Sequence, residues 1–295
     1  MTMMQPYSNH DLVTLRRKKS LYTAGLVIGI ALFFIGVISG FVLLCFPAFV
    51  AVAVFGILTN RISKQIKDEI CTPIMQSVLA DVFERSEYSS RERLPDYLLE
   101  LEEMQFPFDV DRIEGSDYIH ATYQGLNVEM SDIRLVDRRS SGKNTSYVTV
   151  FEGLWLICDF GKPIAADLLL RERQTRVFRF ADKWFHSDDN IETENEAFNE
   201  KFVIRSRDQH GAFYVLTPHM MERILQADAM GAGDTYIRFM KTGKVHIAIN
   251  SGRDAFEYNA SESIEQMKHR FASEIRYATD LIDILRLSDT IQNNA

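Results

Sequence analysis

A run without any charged residue extends from Leu21 to Leu58 and limits what this chain can become. As one helix the run would be about 57 Å long at ~1.5 Å per residue, roughly twice the ~30 Å hydrocarbon core of a bilayer. Two helices of roughly 18 to 22 residues fit that core, with a break between Ser39 and Pro47 supplied by the breakers Gly40 and Pro47. The apolar core of a cleaved signal peptide is much shorter. We therefore predict a transmembrane hairpin over residues 21–58.

Basic residues stand at both ends of this run. Residues 16–19 precede it, and Arg61, Lys64 and Lys67 follow it. Lys and Arg close to the end of a span favour the cytoplasmic side. Only an even number of crossings leaves both clusters on that side. We therefore expect residues 1–20 to be a cytoplasmic segment and both chain termini to be cytoplasmic.

One face of the first predicted helix consists of glycines. At ~100° of rotation per residue, four of them fall within about 60° of each other and let another helix approach closely. They are Gly25, Gly29, Gly36 and Gly40. We expect this face to pack on the second helix. The alternative is contact between copies of the chain, which would make a homo-oligomer.

The soluble remainder is acidic. Without the four basic residues and the one acid before Thr59, 29 basic residues face 40 acidic ones, a balance of about −11. A general nucleic-acid binder needs a basic face, so this class is not expected. The three cysteines, Cys45, Cys71 and Cys158, show no spacing for a disulfide framework, a zinc site or a redox pair, as in a reducing compartment.

A helical neck is predicted over residues 59–104. The second membrane helix continues with Ile62, Ile66 and Ile70 at four-residue spacing. Pro73 is expected to interrupt it, and a further helix should reach about Ser86. After a polar stretch, a short helix is predicted near residues 96–104.

The pattern is mainly β at the start of a soluble domain over residues 105–295. A hairpin is predicted around Gln124 and Gly125, and "SYVTVFEGLWLICDF" is apolar on both faces, as in a central strand. "TYIRFMKTGKVHIAINS" predicts a second hairpin with Gly243 at its turn. His246 alternates with apolar residues, so we expect it on the polar face of its strand.

Helices follow in the second half of this domain. In "GAFYVLTPHMMERILQADAMGAGD" we predict a strand and then a helix, with Thr217 as N-cap, Pro218 at the first position and Gly231 ending it in a left-handed conformation. A long amphipathic helix is predicted from about Ala260, capped by Asn259 and Glu262. The fold class is α+β: a transmembrane hairpin, a neck, and a mostly antiparallel sheet packed with helices.

Several blocks in this order resemble a known family. They are the proline-containing neck "KDEICTPIMQSVL", the strand "TVFEGLWLICDF", the block "SRDQHGAFYVLTPHMMERIL" and the terminal "LIDILRLSDTI". With the hairpin they are similar to the bacterial membrane-anchored domain-of-unknown-function family numbered three-one-three-seven, over nearly the whole chain from the hairpin onward. The resemblance implies a bacterial inner-membrane protein with its soluble domain in the cytoplasm and a LemA-like membrane protein as a partner. It implies no catalytic residues.

Signatures of known chemistry are missing from the sequence. It contains no G-x-S-x-G elbow, no P-loop and no H-E-x-x-H, and we expect no cofactor and no metal. Glu152 is a candidate for a polar site because of its place in a strand, and Asp208 and Gln209 are candidates only because of the family resemblance. Glu152 stands beside Gly153, where a bulge or bend is the simpler interpretation. "RDQHG", which contains Asp208 and Gln209, is most simply a turn.

A basic loop is a candidate contact for anionic lipid or ligand. It contains Arg138, Arg139 and Lys143, and a solvated hairpin tip is the simpler interpretation of these residues.

Three hypotheses about function follow. The first is a protein-interaction or assembly module that the hairpin holds at the inner face of the membrane, with the bilayer and another membrane or cytoplasmic protein as partners. The second is an enzyme with an unrecognised site acting on membrane or envelope substrates, and the third is a lipid-sensing module. A deep pocket lined by converging polar residues such as Glu152, Asp208 or His120 would favour the enzyme.

Overall fold

The computed structural model describes residues 9–104, 106, 109–141, 144–173, 189–231, 233–259 and 261–286. The chain divides into two compact units. One, the hairpin unit, is Met1–Ser77 with Tyr258–Arg270, and the other, the sheet unit, is Val78–Glu257 with Phe271–Ala295.

Two long helices form the hairpin of the first unit. Helix α1 is Asn9–Ile38 and α2 is Val42–Ile66. The turn occupies residues 39–41, inside the predicted interval, and Gly40 adopts a left-handed φ of 72° there. Pro47 lies inside α2 and not at the break, because Gly40 alone suffices for the reversal. Both helices are long and apolar enough to cross a membrane.

The outward faces of these helices are apolar. Large hydrophobic side chains along both helices are exposed, and they include Val27, Ile28, Phe34, Ile35, Phe46, Phe49 and Ile57. In water this exposure would be costly, whereas hydrocarbon solvates such side chains without penalty. The composition and the exposure therefore both suit a lipid environment.

Two of the four glycines on the predicted face lie against α2. A Cβ placed on Gly25 would lie 2.8 Å from the ring of Phe55, and one on Gly29 would lie 3.1 Å from the side chain of Val52. Gly36 is buried, and Gly40 forms the turn. Contact between copies of the chain stays a prediction.

The second helix continues past Pro73 without a break, so the predicted interruption is wrong. One π-helical turn, Lys67–Cys71, joins α2 to α3, Thr72–Val82. The Thr72 N–H donates to the carbonyl of Lys67, five residues back, and its hydroxyl donates to the same oxygen at 3.0 Å. This wider turn absorbs the missing N–H of Pro73, which would otherwise break a regular α-helix.

The segment Tyr258–Arg270 packs beside the start of α1 within the hairpin unit. The Arg16 Nε donates to the Tyr258 hydroxyl at 2.7 Å, and Arg16 also donates to the carbonyl of Glu262. The Ile264 N–H donates to Asn9 Oδ1 at 3.2 Å. These contacts join residues that are far apart in the sequence to the first turns of α1.

Within the described residues the sheet unit contains one sheet of nine antiparallel strands in the order β1-β2-β3-β4-β9-β8-β5-β7-β6. The strands are β1 Arg85–Ser89, β2 Arg112–Tyr123, β3 Leu126–Ser141, β4 Asn144–Asp159, β5 Leu168–Glu172, β6 Asn190–Ile191, β7 Phe202–Arg205, β8 Asp234–Phe239 and β9 Lys244–Asn250. The helices that follow α3 are α4 Asp96–Leu99, α5 Leu101–Met104, α6 Glu196–Lys201, α7 Gln209–Val215, α8 Pro218–Met230 and α9 Ile264–Arg286. Helix α9 belongs to the hairpin unit up to Arg270 and to the sheet unit from Phe271. The α+β class and the antiparallel sheet are as predicted.

Both predicted hairpins are confirmed. Gln124 and Gly125 have positive φ values of 49° and 76°, the conformation of a two-residue type I′ turn between β2 and β3. Gly243 turns the chain between β8 and β9. Strand β4 lies between β3 and β9 and is central, as its two apolar faces indicate. Its bulge falls at Val150, two residues before Glu152.

Strand β1 was missed because its sequence, "RSEYS", is polar. It is an edge strand paired only with β2 among the described residues, and an edge strand needs little apolar surface.

Two predictions about the α7–α8 region are wrong. "GAFYV" belongs to helix α7 and not to a strand, because Asp208 caps this segment by accepting the Gly211 N–H at 2.8 Å. The Thr217 cap of α8 is confirmed, with its hydroxyl accepting the Met220 N–H. Gly231 then leaves α8 in an extended conformation, not a left-handed one.

The cap of the long C-terminal helix also differs from the prediction. Helix α9 begins at Ile264, and a capping box joins Ser263 to Gln266. The predicted cap Asn259 instead accepts the Ser261 N–H at 3.0 Å within the preceding turn.

A three-residue ion cluster joins three elements of the sheet unit. Lys201 Nζ lies 2.6 Å from Glu172 of β5 and 2.8 Å from Asp228 of α8. The side chain of Asp228 is only 5% exposed, so its charge depends on this lysine. The two carboxylates raise the pKa of Lys201 above its ordinary value, which keeps the ammonium charged.

We expect Lys201→Met to lower the free energy of unfolding by about 2 kcal/mol. Removing one partner of a buried pair leaves an uncompensated charge, and the cost falls below the usual ~3–5 kcal/mol because the lysine is partly exposed. Chemical unfolding of the full chain in a nonionic detergent would measure this. Lys162→Met, at an exposed lysine, is the control and should change little. Equal effects of the two changes would contradict the assignment.

Candidate functional site

Three largely apolar strands of the sheet each carry one arginine. They are Arg171 in β5, Arg205 in β7 and Arg238 in β8. The register pairs Leu169 with Arg205 on one side and with Arg238 on the other. Residues paired across strands share a face, so both arginines point to the same side of the sheet, with their Cα atoms roughly 10 Å apart across two strand spacings.

A cavity of about 490 Å³ is lined by Arg205 and Arg238. We call it the arginine cavity, and it is lined by Glu102, Asp167, Asp189, Arg205, Ser206, Arg207, Asp208, Arg238 and Lys241. Ligand pockets of proteins commonly range from ~300 to 1,000 Å³, so its size suits a small molecule.

Two arginines lie at the floor of the cavity, and side chains of both charges lie at its rim. Arg238 is 7% exposed, and the side chain of Arg205 is 20% exposed. The side chains of Asp189 and Asp208 are 39% and 44% exposed. Two further cations, Lys241 and Arg207, also belong to the rim, with side chains that are 53% and 92% exposed.

Hydrogen bonds between side chains and the backbone connect the segments of the rim. The Ser206 hydroxyl donates to the carbonyl of Asp167 at 2.6 Å, and the Lys241 N–H donates to a carboxylate oxygen of Asp167 at 2.9 Å. Asp208 caps α7, and a Cβ on Gly211 would lie only 2.7 Å from its carboxylate. The segments that follow β7 and β8 and precede β5 are thus fixed at one end of the sheet.

The ion pairs around the cavity are long. The N–O distances are 3.4 Å for Lys241 and Asp208, 3.7 Å for Arg205 and Asp189, and 4.0 Å for Arg207 and Asp189. A direct charge-assisted hydrogen bond is ~2.7–2.9 Å long. These three pairs are therefore longer than a direct charge-assisted hydrogen bond.

The charged side chains of the cavity have defined hydrogen-bonding properties. Guanidinium groups donate hydrogen bonds in a planar fork that fits carboxylate and phosphate oxygens. The pKa of Asp208 is lowered by the Gly211 N–H and by Lys241, so this carboxylate is a charged acceptor near neutral pH and not a proton donor. The Ser206 hydroxyl already donates to the Asp167 carbonyl.

His246 on β9 pairs with Arg238 on β8, so it lies on the same face of the sheet as Arg205 and Arg238. It is 0% exposed, so the prediction that it lies on a polar face is wrong. The sheet is covered on both faces here, and the ring of Trp155 lies 6.5 Å away. Within the described part of the chain neither ring nitrogen has a hydrogen-bond partner. Burial, Lys244 and Arg238 lower its pKa to about 4, so the ring is neutral at pH 7.

A second group of acids lies elsewhere in the sheet unit. Asp117, Asp132 and Asp254 bring ligand atoms within 4.8 Å of one another. The Asp132 oxygens accept the N–H groups of Ala255 and Phe256. Burial and the nearby Asp254 raise the pKa of Asp132, which reduces the repulsion. These contacts explain the group as a hydrogen-bonded anchor for the loop after β9.

The structure separates the three residues predicted as a polar site. Asp208 lines the arginine cavity. Gln209 is exposed at the first position of α7, outside the lining residues, and the sequence "RDQHG" begins a helix instead of making a turn. Glu152 lies on β4, 4.0 Å from Arg134. His120 is exposed on β2 and bonded to Asn127.

The residues of the predicted basic loop lie at the far end of β3. Arg138 and Arg139 are exposed, and Arg139 pairs with Asp137 at 3.0 Å. Lys143 lies outside the described residues. Lipid or ligand contact by this loop stays a prediction.

Sequence reasoning missed Arg205 and Arg238, which form the floor of the cavity. A signal was present, because "LLLRE", "FVIR" and "YIRF" each place one arginine in an apolar strand. An arginine among apolar strand residues is unusual unless it is paired or functional. The strand order needed to combine the three segments could not be obtained from the sequence.

These features define a mixed helix–sheet protein with an antiparallel sheet and two helices long and apolar enough to span a membrane. Residues 149–287 match the family described as "Protein of unknown function (DUF3137)", so the family resemblance is confirmed for this segment. The match begins inside β4, and the hairpin lies outside it. No curated protein and no solved structure matches the chain.

His246 should make the stability of the protein depend on pH. In the unfolded chain His246 binds a proton below its ordinary pKa of 6.5, whereas in the folded chain it stays neutral down to about pH 4. Stability is therefore lost as the pH falls through this window, by about 2 kcal/mol at pH 5. Chemical unfolding at pH 7.5 and pH 5.0 should show a smaller loss for His246→Gln than for the unaltered chain. His120→Gln, at an exposed histidine, should match the unaltered chain, and identical losses in all three would refute the assignment.

Proposed function

We propose that this protein is a membrane-anchored interaction module. The hairpin would hold the sheet unit at the cytoplasmic face of a bacterial membrane, where the unit binds another membrane or cytoplasmic protein. A LemA-like membrane protein is the candidate that the family resemblance suggests. The outward apolar side chains of α1 and α2 are the observation that carries this proposal.

The charges at the ends of the hairpin support the cytoplasmic placement. Because α1 and α2 run in opposite directions, residues 16–19 and the cluster Arg61, Lys64 and Lys67 lie at the same end of the hairpin. The positive-inside rule assigns that end to the cytoplasm. The turn at residues 39–41 carries no charge and would face the other side.

Two exposed aromatic side chains support protein binding. Phe213 and Tyr214 on α7 are 48% and 50% exposed, and the ring of His210 lies 5.2 Å from that of Tyr214. Aromatic residues are enriched in protein interfaces relative to the rest of the surface. Asp208, the N-cap of α7, lines the arginine cavity, so the helix starts beside the cavity.

The topology has a direct test by cysteine labelling. In a Cys45→Ala background, Ser39→Cys should react with a membrane-impermeant maleimide on intact spheroplasts, because it stands in the turn. Ser140→Cys, exposed at the end of β3, should react only after lysis. The reverse pattern would place the sheet unit outside the cytoplasm and end this proposal.

Partner binding can be tested by crosslinking in living cells. A photoreactive amino acid at Phe213 should give a discrete adduct larger than the chain, which mass spectrometry can identify. The same amino acid at Tyr147, an equally exposed aromatic residue on β4, is the matched control and should not give this adduct. If neither position yields an adduct and the purified protein is a monomer, the interaction role is wrong.

A further inference from the structure

We propose that the open end of the hairpin binds the headgroups of anionic phospholipids. The contacts would be made by four exposed basic residues, which we call the basic belt: Arg17 and Lys18 of α1, and Arg61 and Lys64 of α2. The inference rests on the proposed membrane anchoring and names the class of lipid that the anchor prefers. It concerns the hairpin unit alone.

The two ends of the uncharged run lie at the same height along the hairpin. A Cβ on Gly25 of α1 would touch the ring of Phe55 of α2, so these two residues lie level with each other. The helices run in opposite directions, so four residues back on α1 and four forward on α2 bring Leu21 level with Thr59. Thr59 directly follows Leu58, the last residue of the run. The belt residues of both helices therefore follow from one level.

Distances along the helices place the belt at the level of the headgroups. From Leu21 to the end of α1 the run is about 26 Å long at ~1.5 Å per residue, close to the ~30 Å hydrocarbon core. Three belt residues lie about 4.5 to 6 Å beyond the run, and Lys64 lies about 9 Å beyond it. The headgroup layer adds roughly 5–8 Å on each side, and long basic side chains extend toward it.

Charge is sorted by sign along the same axis. The first acids beyond the run are Asp11 in α1 and Asp68 in the π-helical turn, each about 15 Å from its end. Residues 1–8 contain no charged side chain, and the segment Tyr258–Arg270 contains two acidic and two basic residues. Both helices thus carry basic side chains at the level of the headgroups, and their acids begin beyond it.

The basic run of α1 is divided between two surfaces. The guanidinium of Arg16 and the ammonium of Lys19 lie 5.5 and 5.6 Å from the ring centre of Tyr258, and Arg16 also donates to the Tyr258 hydroxyl. Arg17 and Lys18 point to other sides of the helix, because successive residues turn by ~100°. Both are exposed, so headgroups in a bilayer can reach them.

The belt residues of α2 are neighbours on one face. Arg61 and Lys64 are three residues apart and exposed, whereas Ile62 and Ile66 are buried on another side of the helix. Like charges at this spacing repel each other. A phosphate oxygen between them offsets the repulsion, so the pair favours a ligand with a net negative charge.

Phospholipids that carry a net negative charge meet this requirement. In phosphatidylcholine the charges of the phosphate and the quaternary ammonium cancel, whereas phosphatidylglycerol keeps the charge of its phosphate. Each basic residue near an anionic membrane surface strengthens binding by about 5-fold. The basic belt therefore favours phosphatidylglycerol over phosphatidylcholine.

Electron spin resonance of spin-labelled lipids tests this preference. The purified full chain would be reconstituted into phosphatidylcholine vesicles with a trace of spin-labelled phosphatidylglycerol or spin-labelled phosphatidylcholine. The fraction of label immobilised at the protein gives the relative association constant of the two lipids. We expect a preference of about 5-fold for phosphatidylglycerol at low salt, and a much smaller one in about 1 M NaCl, where the Debye length is only ~3 Å.

Two double variants test the belt itself, Arg17→Gln with Lys18→Gln and Arg61→Gln with Lys64→Gln. Each should reduce the preference at least about 2-fold, because half of the belt charge is removed. Lys162→Gln with Arg207→Gln is the matched control, since it removes the same charge from exposed positions of the sheet unit. This control should keep the preference of the unaltered chain.

The outcomes separate this inference from the proposed function. Immobilised phosphatidylcholine label would show that the hairpin lies in the bilayer, so equal immobilisation of the two labels overturns the belt while the anchor stands. A preference that both double variants keep, or that persists at high salt, also overturns it. If neither label is immobilised, the hairpin does not cross the bilayer and both proposals fail.

Discussion

The uncharged segment from Leu21 to Leu58 would be about twice as long as the hydrocarbon core of a bilayer if it formed one helix. In the structure it folds back on itself, and this reversal determines which parts of the hairpin unit lie together. The turn at residues 39–41 returns the chain to the side on which it began, so the first turns of α1 and the end of α2 lie together. In the hairpin unit the segment Tyr258–Arg270 then packs beside them, through Arg16 and Asn9. The chain thus brings a late segment of its sequence back to the open end of the helical hairpin.

The sheet unit follows a different constraint, the burial of charge inside a two-sided core. Arg238 and His246 face each other across β8 and β9, where an aromatic cluster of Phe106, Phe151, Trp155 and Tyr236 fills the adjacent space. Such a position suits a neutral histidine and a paired or liganded arginine. Burial disfavours the charged form of His246 and lowers its pKa. Arg238 stays charged, and it lines the cavity beside other charged side chains.

Turns and helix starts could be predicted from the sequence where one or two residues determine the backbone conformation. Gln124 with Gly125, Gly243, and Thr217 with Pro218 each fixed a turn or a helix start that the structure shows. The two-helix hairpin was also predictable, since it follows from the length of the apolar run and the breaker Gly40. Helix α7 was not, because "GAFYV" is as apolar as a strand and only the Asp208 cap favours the helix.

The cavity itself could not be predicted, for a related reason. Its floor combines β7 and β8 through β5, three short strands whose order no local pattern encodes. Asp208 was singled out from the sequence as part of a turn, yet it serves as a cap, and its place on the rim follows from the strand order. Arg205 and Arg238 each stand out as an arginine in an apolar strand. Only the strand register shows that they share one face of the sheet.

The π-helical turn at Lys67–Cys71 changes the register between α2 and α3. A π turn accommodates one residue more than the α-helical ladder on either side of it, so everything beyond it is rotated by about 100° relative to an uninterrupted helix. Ile66 before the turn and Met75 after it are both buried with this extra residue in place. In a homologous chain, loss of one residue from this turn would therefore have to be accompanied by a new apolar stripe on a different side of α3, and the length of this short segment is coupled to the pattern of the sequence that follows it.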